Sequence, residues 1–138
     1  MAVRWERRPL RGVTARLRVL AVTALVRLGA APCEVGVLLC GDDTIRALNR
    51  RFRGKDRPTD VLSFPDGSRL PEGPVYLGDV AISVDTARRQ AEEQGIGVER
   101  ELETLLLHGL LHLCGFDHER DEGEMAELEA RLRQELLP

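Results

Sequence analysis

The sequence predicts an α+β fold in which a small mixed β-sheet is flanked by helices. Three observations lead there. Short runs with apolar cores at 34–40, 59–64 and 75–83 read as strands. Longer stretches with apolar residues at three- and four-residue steps read as amphipathic helices. Three such helices in succession close the chain, so helices pack against a sheet rather than forming a separate unit. The length of 138 residues suits one domain spanning 1–138. A chain of that size buries a core without staples.

Residues 2–6 alternate weakly through Val3 and Trp5, enough for a short first strand. Residues 10–29 form a helix with Leu17, Leu20, Ala21, Ala24, Leu25 and Leu28 on one face and Gly29 suited to its C-terminal end. Glu34–Cys40 is a strand, and Gly41 with Asp42 opens a turn. Asp42 or Asp43 is expected to cap a helix reaching about Arg51, with Ile45 and Leu48 inward. Residues 54–58 are a charged loop, since Pro58 biases Arg57 away from helix. Thr59–Phe64 is a strand that Pro65 should stop, and 65–74, rich in Pro and Gly, is loop. Val75–Ser83 is a strand built on Leu77, Val80 and Ile82. The three closing helices are Val84–Gln94, Val98–Leu113 and Asp121–Leu137, the last with an acidic start that suits the helix dipole.

Composition excludes several classes. The 43% hydrophobic and 31% charged fractions are those of an ordinary globular protein. Aromatics make up only 4%, so the core must be mostly Leu, Val and Ala. Three cysteines without a CxxC spacing (Cys33, Cys40 and Cys114) argue against a disulfide framework and for a reducing, cytoplasmic setting. The apolar stretch 13–31 is broken by Arg16, Arg18 and Arg27, which speaks against a membrane span or a signal segment. The net charge of −3 hides an asymmetry: residues 1–58 hold 13 Lys and Arg against 5 Asp and Glu, and 59–138 hold 7 against 18. A basic half can attract phosphate-rich polymers even in an acidic protein, although solvated helix faces explain the same pattern.

The three histidines of the chain all fall within His108-Gly-Leu-Leu-His112-Leu-Cys-Gly-Phe-Asp-His118. Four residues turn a helix through about 400°, so His108 and His112 share a face one turn apart. Gly115 can end the helix in a left-handed conformation, after which His118 can bring a third nitrogen. Three imidazoles leave one tetrahedral position open, the pattern of a catalytic rather than a closed structural site for one Zn²⁺ ion. Imidazole alone does not distinguish zinc from nickel. The spacing matches the metzincin zinc-protease ligand frame, but the glutamate that serves there as general base is replaced by Gly109. Cys114 reads as a small core residue. Asp117 is either an orienting partner of a ligand histidine, a proton-transfer group or a turn residue.

The segment His108–His118 resembles the H-G-x-L-H-L-x-G-[YF]-D-H signature of the YbeY family of bacterial ribosomal-RNA maturation factors. Phe52–Phe64 and Leu77–Ser83 are similar to two further segments of that family, and the resemblance spans about 34–135. It implies a small mixed sheet flanked by helices. It also implies a single-strand-specific, zinc-dependent endoribonuclease acting on ribosomal RNA, in late 3′-end maturation of the small subunit. The signature histidines fall on His108, His112 and His118, and the arginine implicated in activity on Arg53. The partners implied are ribosomal RNA and the small subunit or its proteins, with no membrane. Three departures stand out: only 2–6 remain for the family's longer first strand, Phe116 replaces a frequent Tyr, and the loop 65–74 is short.

Physical chemistry supports the nuclease reading independently. A positioned cation stabilises the charge that a phosphodiester gains in its transition state. The planar guanidinium of Arg53 can donate two parallel hydrogen bonds to phosphate. Arg50, Arg51, Lys55 and Arg57 can hold flanking phosphates. Thr59, Asp60 and Ser63 are expected to hold the arginine loop in place rather than to reach the metal. Asp79 either buttresses the site or is a turn residue. Two other readings compete: a zinc metalloprotease-like hydrolase, and a non-catalytic ribosome-biogenesis binding module.

Overall fold

The computed structural model describes residues 1–30, 32–69, 74–115 and 123–137. The elements run β1 (Ala2–Trp5), α1 (Val13–Arg27), β2 (Cys33–Cys40), α2 (Asp42–Arg53), β3 (Val61–Arg69), β4 (Val75–Ser83), α3 (Val84–Gln94), α4 (Val98–Leu113) and α5 (Glu124–Leu136). The sheet order is β1-β2-β4-β3. β1, β2 and β4 are parallel, and β3 pairs antiparallel to β4. The fold is the expected α+β, with a four-stranded mixed sheet between helices.

The sheet has two unlike faces. Val35, Val37, Leu39, Val80 and Ile82 point into the main core, where they meet Leu17 and Leu20 of α1, Leu102, Leu106 and Leu110 of α4, and Met125 and Leu132 of α5. Each fully buried Leu, Val or Ile there contributes about 1.5–3 kcal/mol relative to exposure. On the other face Cys40, Leu62 and Ala81 pack with Ile45 of α2, joined by Leu38, Leu48 and Phe64. Helix α4 is the pivot of the larger layer. Ten of its sixteen residues are buried, so it lies inside the helical layer rather than on the surface. No helix of the described residues is long and apolar enough to cross a membrane.

Several boundaries differ from the sequence reading. β3 runs through Pro65 to Arg69, with its register shifting between Pro65 and Ser68. A strand at the sheet edge tolerates proline because one side of its backbone needs no ladder donor. Neither Asp42 nor Asp43 caps α2. Gly41 is the cap, and the Asp85 carboxylate accepts from the Asp42 N–H at 2.9 Å, reaching across from α3. The Asp42 carboxylate instead accepts from the Ser83 and Thr86 hydroxyls, both at 2.7 Å, and from Arg89 at 2.9 Å. Finally, α5 begins at Glu124 behind Gly123, and α1 at Val13 rather than at residue 10. The short first strand is present. Its Val3 pairs with Val37, and the Trp5 indole N–H donates to the Thr14 hydroxyl at 2.9 Å, tying β1 to α1.

Candidate metal centre

Helix α4 has the bounds its apolar stripe predicts, and its last two turns carry His108 and His112 on one face. Their rings stand edge to face with centroids 4.7 Å apart, and the two Nε2 atoms approach to 3.1 Å. Two imidazole nitrogens this close can, with hydrogen on both Nδ1 atoms, present two lone pairs to a single cation. The opposite nitrogen of His108, Nδ1, faces the carboxylate of Glu129 on α5, at 3.0 and 3.1 Å from its two oxygens. The Glu129 side chain is largely buried, at 15% exposure. A carboxylate there favours the tautomer with hydrogen on Nδ1, which leaves Nε2 as an acceptor. Metal-ligating histidines almost always hold their second nitrogen in this way. The hydrogen bond that His108 donates to Glu129 raises its pKa; burial opposes the shift, and the charges of Glu129 and Asp60 add to it.

The residues present therefore fit a metal ion bound through imidazole. Among the described residues no group of three or more His, Cys, Asp or Glu is assembled for one. The third expected ligand, His118, lies outside the described residues, as do Phe116 and Asp117. Gly115 has φ 94°, the left-handed conformation expected where α4 ends. Cys114 packs against the main core.

Gly109 explains how α4 sits so close to the sheet. A Cβ on it would lie 2.7 Å and 3.1 Å from the two γ-methyls of Val80, and 3.2 Å from the Ser63 Oγ. The position following the first histidine therefore points into the sheet, and a glutamate there has no room. The Ser63 hydroxyl also donates to the Gly109 carbonyl at 3.1 Å. Ser63 thus fastens β3 to the histidine helix and does not hold the arginine loop. That task falls to Asn49, which is buried and donates from Nδ2 to the Arg57 carbonyl at 2.9 Å. Asp60 accepts from the Val61 N–H at 2.8 Å and from Gln90 at 3.3 Å.

Arg53 is the last residue of α2, exposed, and followed by Gly54 in the left-handed conformation with φ 70°. It makes no hydrogen bond or ion pair among the described residues. Arg50, Arg51, Lys55 and Arg57 are also exposed around it, while Arg46 pairs with Asp56 at 2.9 Å. Helices α2 and α4 pack on opposite faces of the sheet. The loop after Arg53 leads to Asp60, whose charge acts on His108. Asp79 neither buttresses the histidines nor forms a turn. It is exposed on β4, and its carboxylate accepts from the Tyr76 hydroxyl.

The family model described as Endoribonuclease YbeY matches residues 13–137. The chain belongs to the YbeY family. It is 52% identical over 136 residues to the Endoribonuclease YbeY of Anaeromyxobacter sp. (strain Fw109-5), covering 96% of this chain and 70% of that one. The Endoribonuclease YbeY of Thermus thermophilus is 47% identical over 118 residues, 85% of each chain. The solution structure of TM1509 from Thermotoga maritima matches with a TM-score of 0.68 at 32% identity, over 99% of this chain and 89% of that chain. In this YbeY chain, Glu129 and Asn49 are the supporting residues that sequence reasoning missed. Glu129 lies 21 positions from His108 on an acidic, amphipathic helix, where it looks like one more solvated carboxylate.

Proposed function

We propose that this chain is a zinc-dependent endoribonuclease that cuts single-stranded ribosomal RNA during maturation of the small-subunit 3′ end. The observation that carries the reading is the convergence of the His108 and His112 Nε2 atoms, 3.1 Å apart, with Glu129 on the outer nitrogen of His108, in a chain of the YbeY family. His108, His112 and His118 hold one Zn²⁺ in this proposal. When bound, zinc supplies a Lewis acid that lowers the pKa of water to about 7 and polarises a phosphoryl oxygen. Glu129 keeps His108 in the ligating tautomer. Arg53 donates to non-bridging oxygens of the scissile phosphate, and its neighbouring cations bind flanking phosphates. The site works in the cytoplasm, on RNA carried by the small subunit or its precursors.

The metalloprotease reading loses support twice. Gly109 supplies no general base, and the sheet leaves no space for one there. The deciding experiment measures zinc content and cleavage of ribosomal RNA together, for wild type and His112→Ala, with and without a chelator. Stoichiometric zinc with chelator-sensitive cleavage, both lost in the variant, is the expected result. Arg53→Ala should keep zinc and lose cleavage. Zinc retained at unchanged affinity in His112→Ala overturns the ligand assignment, and bound zinc with no cleavage of RNA by wild type overturns the nuclease.

A further inference from the structure

The face of the sheet that α2 only partly covers holds a groove of about 530 Å³, lined among others by Leu38, Leu48, Phe52, Phe64, Tyr76 and Ala81. That volume lies within the range of about 300–1,000 Å³ typical of ligand sites. Nothing in the metal centre uses it, because the histidine helix packs on the other face.

Phe52 is the feature of this groove that asks for a ligand. It is 56% exposed in a chain with only three phenylalanines. Its ring has two packing partners. Phe64 meets it edge to face with centroids 5.2 Å apart, and the Arg51 guanidinium lies 5.2 Å from its centroid. Its sequence neighbours Arg50, Arg51, Arg53, Lys55 and Arg57 are exposed cations. An exposed aromatic ring set among cations is the arrangement that binds single-stranded nucleic acid: bases stack on the ring, and the backbone follows the charges.

The lining also bears on which part of a nucleotide enters. The groove walls are mostly apolar, with two charges at them, the Asp79 carboxylate and the exposed Arg4 of β1. These two charges offset each other, so the groove offers a phosphate no net attraction, and its apolar walls would solvate one poorly. A neutral base does not meet that cost.

The geometry points to the Phe52–Phe64 groove as a nucleobase subsite for single-stranded RNA, with the polymer's phosphates on the arginines at the end of α2. This rests on the proposed RNA reading and adds to it a platform that holds a base away from the metal-binding face.

The test uses the full chain and short 2′-O-methylated oligoribonucleotides, which resist cleavage, with binding followed by fluorescence anisotropy across salt concentrations. Phe52→Ala should weaken binding about tenfold, since stacking of one base contributes about 1–3 kcal/mol. Phe52→Tyr should restore it. The slope of log K against log salt should stay unchanged in Phe52→Ala and become shallower in Arg53→Ala, which removes a phosphate contact. An oligonucleotide lacking bases should bind wild type and Phe52→Ala alike. Wild type that binds RNA with Phe52→Ala unchanged overturns the subsite and leaves the nuclease standing. Equal weakening toward RNA with and without bases overturns it as well. Wild type that binds no RNA overturns both.

Discussion

Replacing Gly109 by alanine opposes two effects of known size. In an unencumbered helix interior, Gly→Ala stabilises by about 0.5–1 kcal/mol through backbone entropy. At Gly109 the new methyl falls 2.7 Å and 3.1 Å from the Val80 γ-carbons and 3.2 Å from the Ser63 Oγ. Overpacking of this kind costs about 1–3 kcal/mol. Relief by moving α4 outward stretches the Ser63–Gly109 hydrogen bond, itself worth about 0.5–1.5 kcal/mol. The steric terms win, and Gly109→Ala should lose about 2 kcal/mol in equilibrium urea unfolding. The same substitution in a Val80→Ala background meets neither γ-methyl. There it should be neutral or stabilising, so the two changes couple by more than 1 kcal/mol, on the scale seen between touching residues. A stabilised Gly109→Ala protein, or an identical effect in both backgrounds, would refute the close approach of α4 to β4.

Other substitutions probe the supporting contacts. Glu129→Ala should weaken zinc binding about 10–100-fold, the usual effect of removing a carboxylate behind a ligand histidine, as read by chelator competition; unchanged affinity would leave Glu129 a packing residue only. Asp42→Asn should cost about 1.5–3 kcal/mol near neutral pH through weakened hydrogen bonds from Ser83, Thr86 and Arg89. Burial pulls the Asp42 carboxyl up, but those bonds outweigh it and hold its pKa below the ordinary 3.8. Its contribution is therefore present above the unfolded value and lost as pH falls through the folded one. The gap between wild type and Asp42→Asn should close in acid unfolding, and a gap independent of pH would contradict the assignment. Asn49→Ala should cost about 1–3 kcal/mol and speed amide exchange in the 54–58 loop, since the bond to the Arg57 carbonyl is lost; exchange at the wild-type rate would show that the loop is held otherwise.

What the sequence made legible was whatever depends on local periodicity. α3 and α4 have the bounds their apolar spacing predicts, as does β4, and the left-handed turns at Gly29 and Gly115 follow from residue type. What escaped depends on partners far away in the chain. Pro65 is a strand breaker only if its neighbours on both sides need pairing, and edge position is a property of topology. Asp42 looks like a cap until Ser83, Thr86 and Arg89 arrive from β4 and α3. Asn49 reads as an ordinary helical polar residue, yet it is buried because the loop folds back over it. At the candidate site the histidine pair was legible because helical geometry fixes a four-residue spacing. Glu129 was not, because nothing in the periodicity of α5 distinguishes it from the other carboxylates of that helix.

The close packing of α4 also limits where proton transfer can come from. One turn of helix must present His108 and His112 outward and Gly109 inward, since the position after a histidine lies about 100° around the helix. The arrangement that holds two imidazoles on one point thus turns the next residue into Val80 and Ser63. A zinc protease places its base at that position; this chain cannot without losing the contact between helix and sheet. The two described carboxylates that act on His108 are already engaged, Glu129 with His108 Nδ1 and Asp60 with the Val61 N–H and Gln90. Using Glu129 as a base would cost the tautomer that leaves His108 Nε2 as an acceptor. The chemistry that remains best served is one in which the group attacked already carries negative charge that a cation can stabilise. Phosphodiester cleavage has that property and peptide hydrolysis does not.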